Sequence, residues 1–382
     1  MLTRAFQSIL ASILEGFFPM RNTGKALSVV VLIFTFAFLG TLPAHGQGCI
    51  VARSSSFDMA PESLGGYLQP GDWDLTVGYR HQFSYKHFVG SVEQTYRVQQ
   101  GTEVMNKINL QDINLSYQAT SRISLTLTVP LLFASRRSNN SYYTTHAAGL
   151  GDAALVAQGW LWNPRHTRRG NISLGFGVQA PTGKDNVQNN VLTTATATTP
   201  SVVTADYSIQ PGSGGWGMIF QWQAFRDLGH NTMIYTNGNY LATQGGTNNV
   251  LRSATAASQP LTMYNAIQDQ YLLQAGVSHP ISAIKGLTVT FGPRMEGVPA
   301  SNLIGNDLGF RRPGFAISAE PGLIYSRGRN MIQASVGKAV YRNRTRSVPD
   351  KILGTHGDAA FADYVWMMSY SYRLPGKGNT EK

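Results

Sequence analysis

The chain has 382 residues, 13% of them charged, with a net charge of +11, 40 glycines and one cysteine. Such a composition is neither that of a disordered chain nor that of a helical globular domain. The lone cysteine excludes an internal disulfide framework, and the Lys and Arg residues are scattered rather than gathered on a basic helix, which argues against nucleic acid as a partner.

The first readable element is the apolar run 26–40, ALSVVVLIFTFAFLG, with Arg21 and Lys25 before it and Leu42-Pro43-Ala44-His45-Gly46 after it. A positive flank, a short apolar core and small residues describe a secretory signal peptide over 1–46, cleaved after Gly46. Counted from Met20 the leader has an ordinary length, so Met20 is the expected start. The run is short for a spanning helix. Cys49 lies just beyond, but Gly46-Gln47-Gly48 lacks the aliphatic residue of a lipoprotein box, and a free thiol is expected. Residues 47–70 are a Ser/Gly/Pro-rich lead-in.

From 71 to 374 the chain alternates apolar and polar residues with period two, the pattern of strands with one apolar face. Strand one sets Trp73, Leu75, Val77 and Tyr79 against Asp74, Thr76, Arg80 and Gln82. After a polar connection, 86–107, come Ile113, Leu115 and Tyr117, then Ile123 to Phe133. Strand four, about 151–162, has a poorer phase that suggests a bulge. Strand five is the cleanest: Ile172, Leu174, Phe176 and Val178 on one face, Ser173, Gly175, Gly177 and Gln179 on the other. Long polar loops at 185–210 and 244–265 flank strands near 216–224 and 232–243. Four further strands are expected near 270–278, 287–296, 315–325 and 332–340, and a last one near 364–374. Lys338 falls on an apolar face, so a bulge or an interfacial position is expected there.

About twelve strands, long connections alternating with short ones, and aromatic residues near strand ends define the expected fold class. It is all-β: a transmembrane antiparallel up-and-down barrel with both termini periplasmic and a basic tail, 375–382. Closure removes strand edges that lipid cannot satisfy. The alternative is an exported soluble β-sandwich or propeller.

Several motifs mislead. Gly212-Ser-Gly214-Gly-Trp-Gly217 is a literal GxGxxG, but a strand follows it where a dinucleotide site needs a helix. Gly183-Lys184-Asp185 lacks the remainder of a phosphate-binding loop. The eight histidines are dispersed, so no metal or other cofactor is expected. An outer-membrane lipid hydrolase would need a His/Ser/Asn constellation. His81, Ser84 and His279 suit ordinary girdle or turn positions better, and the chain is read as a non-enzyme.

The order Gly149-x-Gly151-Asp152, Pro181-Thr182-Gly183 followed by Asp185, then Pro211-Gly212-Ser213-Gly214 resembles the meta-pathway of phenol degradation family of outer-membrane proteins. Glu320-Pro321-Gly322-Leu-Ile-Tyr325 and the C-terminal HGDAAFADY segment add to the likeness. The resemblance implies a channel for aromatic compounds or related metabolites.

By parity, Arg80, Gln82, Gln179, Gln221, Gln223, Gln274, Arg294, Glu296 and Glu320 project into the lumen and are the candidate pore-lining residues. Arg294 and Glu296 are expected to set up a transverse field. The expected partners are outer-membrane lipid and lipopolysaccharide, the barrel-assembly machinery and a small-molecule solute. Two readings stay open: a narrow bore for passive passage, or a filled, non-conducting structural barrel. The inner glycines of strand five are expected to leave room in the bore, so that a charge is tolerated at Gly177 but not at Phe176.

Overall fold

The computed structural model describes residues 67–376 apart from Arg165 and Arg168. The expected signal peptide, Cys49, most of the lead-in and nearly all of the basic tail lie outside the described residues.

Twelve antiparallel strands form one closed sheet. They are β1 (Trp73–Val89), β2 (Val104–Gln118), β3 (Ile123–Ser138), β4 (Ala154–Trp160), β5 (Gly170–Gln179) and β6 (Gly217–Gly229). The second half is β7 (Thr232–Thr243), β8 (Gln270–Pro280), β9 (Leu287–Val298), β10 (Gly314–Arg327), β11 (Asn330–Asn343) and β12 (Ala359–Leu374). Each strand pairs with its chain neighbours, and β12 pairs with β1 from Trp73↔Leu374 to Phe88↔Ala359. The ring thus has no free edge.

One end of the barrel carries short turns. Two of them have only two residues, Gly328-Arg329 and His230-Asn231; in the second both residues have positive φ (52° and 58°), as the two-residue hairpin turn that matches strand twist requires. The other end carries the long connections. Both described chain ends lie together at the short-turn end, where the Gly376 amide donates to Asp72 Oδ1 at 2.9 Å.

The alternation read from the sequence is the alternation of burial. On β5, Leu174 and Phe176 are 55% and 52% exposed, while Asn171 and Ser173 are 2% and 0% exposed. The apolar phase therefore forms the outer belt and the polar phase forms the interior, the reverse of a water-soluble sheet.

Three departures have local causes. The strands run longer at the long-loop end than the hydropathy alternation does: β1 continues to Val89, β2 begins at Val104 and β12 begins at Ala359. Beyond the lipid the outer face no longer needs an apolar phase, so the ladder outlasts its signature. The strand-four bulge is a full break. Thr145–Leu150 pairs with β3, the ladder stops over 151–153, and β4 resumes at Ala154. Lys338 stays on the outer face opposite Ala319 and Tyr364, and the expected bulge sits just beyond it, between Ala339 and Tyr341.

Candidate functional site

All nine residues proposed to line the lumen lie on the inner face. The sheet divides them into two groups.

The first group crosses the bore. Arg80 on β1 reaches Glu296 on β9 with a two-pronged contact, Nη2 to Oε1 at 2.6 Å and Nη1 to Oε2 at 3.0 Å. Its Nε and Nη2 also donate to Gln82 Oε1. Arg294 Nε donates to the same Glu296 at 3.0 Å and points Nη1 at Glu320, 3.8 Å away. Glu320 accepts from Gln274 and from Ser335. All four charged side chains are buried, with Arg80, Arg294 and Glu320 at 2–3% exposure. Two cations and two anions close on one another, so the expected transverse field is replaced by a neutral ladder of charge-assisted bonds. The ladder joins β1 to β8–β11 through the bore.

The second group lines an open chamber of about 190 Å³ bounded by β1–β8 and β12. The register arranges its wall in layers. Val156, Gly177, Ile219 and Leu241 stand side by side nearest the long loops; one layer inward come Gln158, Gly175, Gln221 and Asn239. The next layer holds Gln223 and Asn237, paired to Gln274 on β8. Successive layers are two residues apart along each strand, about 6.7 Å. Gln221 Nε2 donates to Gln158 Oε1 at 2.8 Å, and Gln158 Nε2 donates to Gln223 Oε1 at 3.3 Å. Gln179 sits at the rim, bonded to Asp152.

The glycines of β5 do not leave free space, contrary to the expectation from sequence. A Cβ on Gly175 would lie 2.5 Å from Gln221 Cγ. One on Gly177 would lie 2.4 Å from the Leu155 carbonyl oxygen and 2.7 Å from Val156 Cγ2. The room they make is already occupied by the side chains and backbone of the next strands, so a charged residue at Gly177 is not accommodated.

Apolar clusters pack inside the barrel toward each end. Toward the short turns, Trp160, Phe225, Tyr235, Ile324 and Met331 pack together, and Tyr67 of the lead-in joins them with its ring 6.1 Å from that of Trp160. Toward the long loops, Ala205 and Ile209 fold inward against Ile108, Leu110, Leu132 and Ala134. In the sequence the polar connection ends at 107 and the next strand is expected from near Asp112, so Ile108 and Leu110 have no assigned face and both clusters are missed. Apolar residues at inward positions are their only signal.

The inward segment is held electrostatically. Arg312 forks onto Asp206, 2.8 Å to each oxygen, and Arg136 lies 3.5 Å from it. Arg312 also stacks over the Tyr207 and Phe310 rings. Burial pushes the Asp206 carboxyl up, but Arg136 and Arg312 outweigh it and hold the group well below the usual carboxylate range.

The three glycine motifs of the family resemblance converge beside the chamber. Asp152 accepts from the Gly183 amide at 3.0 Å and from the Ser213 amide and hydroxyl, both at 2.7 Å. Thr182 Oγ1 donates to the Gly151 carbonyl. Gly183 and Gly212 meet so closely that a Cβ on Gly212 would lie 2.1 Å from the Gly183 carbonyl oxygen. The motifs are a structural clasp: they hold the broken strand four against the start of β6. The GxGxxG run is part of this clasp and leads into a strand.

The hydrolase alternative gains no geometry. His81 faces outward and bonds Asn109 Oδ1, whereas Ser84 faces inward and accepts from Asn106. His279 bonds Thr232 at a turn.

A closed twelve-stranded antiparallel barrel with an apolar belt outside and polar residues inside defines the class: the chain is an outer-membrane β-barrel. No protein-family model matches it, and no curated protein does. Its fold is similar to that of the COG4313 outer membrane channel from Pseudomonas putida F1, at 13% identity and a TM-score of 0.52 over 84% of this chain and 100% of that one. The translocator domain of the autotransporter NalP from Neisseria meningitidis gives 12% identity and a TM-score of 0.43 over 81% of this chain and 90% of that one. The toluene transporter TodX of Pseudomonas putida gives 10% and 0.40 over 86% and 98%. At those scores the last two carry no weight for function, and the first speaks for the fold alone. The resemblance to the meta-pathway family rests on the motifs quoted from the sequence.

Proposed function

We propose that the chain is an outer-membrane channel through which small molecules, aromatic compounds among them, pass by diffusion, with no chemistry performed on them. The observation that carries this reading is the chamber of about 190 Å³ inside the bore. A barrel that only spans the membrane needs no such space, and interiors normally close around their side chains. Gln179, Gln221 and Gln223 then act as its hydrogen-bonding wall. Arg80, Gln82, Gln274, Arg294, Glu296 and Glu320 form the ladder that braces the bore outside the chamber. The long loops face outward, and the termini with the short turns face the periplasm, the usual arrangement of such barrels. Lipopolysaccharide and the barrel-assembly machinery are the partners that arrangement implies.

The reading is tested with purified protein in planar bilayers and in liposome swelling. Single-channel current or solute-dependent swelling is expected. The absence of both would favour the second reading, a non-conducting structural barrel, which the apolar clusters at each end of the bore support. Lipid hydrolysis by the same preparation would overturn the non-enzyme reading.

A further inference from the structure

The chamber wall carries information on what occupies it, and the inference rests on the channel reading above. Gln221, Gln158 and Gln223 form a chain of amides running across β4 and β6. A chain of three amides uses two donors and two acceptors internally. Gln221 Oε1 and Gln223 Nε2 are left with no protein partner among the described residues, one an acceptor and the other a donor. Reversing all three amides leaves the same pair of ends, one donor and one acceptor. Gln158, Gln221 and the neighbouring Asn239 are half-buried, so their free capacity faces the chamber.

The wall carries no cation, and its carboxylates are withdrawn from the chamber. No Lys, Arg or His lines the chamber. Of its two carboxylates, Asp152 is saturated by the Gly183 and Ser213 donors, and Asp112 is only 1% exposed. An anion would meet no cation there, and an ammonium would meet no presented carboxylate. The layer next to the amides is apolar: Val156, Ile219 and Leu241, about 6.7 Å away along the strands. That offset is about the width of one ring. A cavity of about 150 Å³ holds a benzene ring, so 190 Å³ holds one ring with one small substituent.

We infer that the chamber is a binding site for a neutral single-ring molecule bearing one hydrogen-bonding group that both donates and accepts, with the ring on Val156, Ile219 and Leu241 and the polar group on the Gln221–Gln158–Gln223 chain. A bare hydrocarbon would leave the free amide groups shut away from water without partners, which costs affinity. A charged ring would lose hydration with no compensating partner.

The test uses four single-ring compounds of similar size: toluene, benzyl alcohol, benzoate and benzylamine in its protonated form. Binding is measured by titration calorimetry on the full chain in lipid nanodiscs, with empty nanodiscs as blanks. Benzyl alcohol is expected to bind about tenfold more tightly than the other three, the worth of about one buried hydrogen bond. Gln221→Met, of similar shape, is expected to remove that advantage while leaving toluene binding unchanged. Heat-dependent gel mobility verifies that the variant is folded. Equal binding of toluene, tighter binding of either ion, or an unchanged preference in Gln221→Met would overturn the assignment. Selective binding without conductance or swelling would leave the site standing and sink the channel reading; flux without selectivity would do the reverse.

Discussion

Arg80 and Glu296 grip one another through the lumen, 2.6 Å apart at their closest atoms and 216 residues apart in the chain. The pair does inside this barrel what a hydrophobic core does in a soluble protein: it ties walls together that no backbone hydrogen bond connects. A buried ion pair gains little over a well-packed apolar pair, but losing one partner strands a charge. Arg80→Met is expected to destabilise the barrel by about 3 kcal/mol, at the low end for such changes because Arg294 still faces Glu296. Adding Glu296→Gln should recover most of the loss. Urea unfolding followed by tryptophan fluorescence measures both, and a double variant no more stable than the single one would contradict the ladder.

Gly177 and Gly159 make a paired test of packing on neighbouring strands. A Cβ on Gly177 meets the backbone of Leu155 and Val156, while one on Gly159 meets nothing within 4 Å. Gly177→Ala should lower the yield of folded barrel severely, since backbone cannot yield as a side-chain tip can. Gly159→Ala should be neutral. The folded fraction on a heat-modifiability gel reads the difference.

Phe176 stands on the outer face at 52% exposure, with its ring 5.2 Å from that of Phe220. Phe176→Lys should cost about 2–4 kcal/mol near mid-membrane. Its folded fraction should fall, whereas Phe176→Leu should assemble normally.

Asp152 holds the clasp through one carboxylate. Hydrogen bonds to a charged acceptor are worth about 1.5–3 kcal/mol each, and three donors converge here from Gly183 and Ser213. Asp152→Ala should leave a closed barrel whose connection between β5 and β6 is cut at least tenfold faster by added protease. An unchanged cutting rate would mean that the clasp is held by the glycine contacts alone.

The inward segment at 205–210 should resist acid. Burial raises the Asp206 carboxyl, and Arg136 and Arg312 lower it further than burial raises it, so the folded value lies well below the ordinary one, about 3.9. A depressed carboxylate contributes stability above its unfolded value and loses it only as pH falls through the folded value. Docking should therefore be constant from neutral pH down to about pH 4. Asp358 follows the same sign. Burial raises it, but hydrogen bonding to His87 and the charge of Arg97 bring it down to about 2. Protease accessibility of the long loops should stay flat over that range, while Asp206→Asn should be accessible throughout.

The outer belt was the most legible part of the chain. Leu174, Phe176 and Val178 can sit outward only in lipid, and a period of two fixes the inner face at once. The nine inner residues followed by parity alone. Which of them touch was not legible. Arg294 and Glu296 are neighbours on one strand, but the reach of Arg80 to Glu296 depends on the curvature of a closed wall. The apolar clusters were also hidden, because Ile108 and Leu110 sit inward within a stretch whose outward residues, Lys107, Asn109 and Gln111, are polar. There the usual phase is inverted, and hydropathy alone misplaces the strand. The glycines of β5 misled for a related reason: an absent side chain reads as space, while the neighbouring strand has already taken it.

Eleven of the twelve strand pairings join chain neighbours; β1 with β12 joins residues nearly the whole length of the barrel apart. Local hairpins form quickly and independently, whereas one distant pairing carries almost all the loop-closure cost. The order of assembly follows. A curved, open ribbon of hairpins comes first, and the two outermost strands meet last, with Asp72 and Gly376 completing the seam. Until that meeting, two edges stay unsatisfied in a medium that offers them no water. The slow step of this protein's life is thus written into the pairing of its first strand with its last.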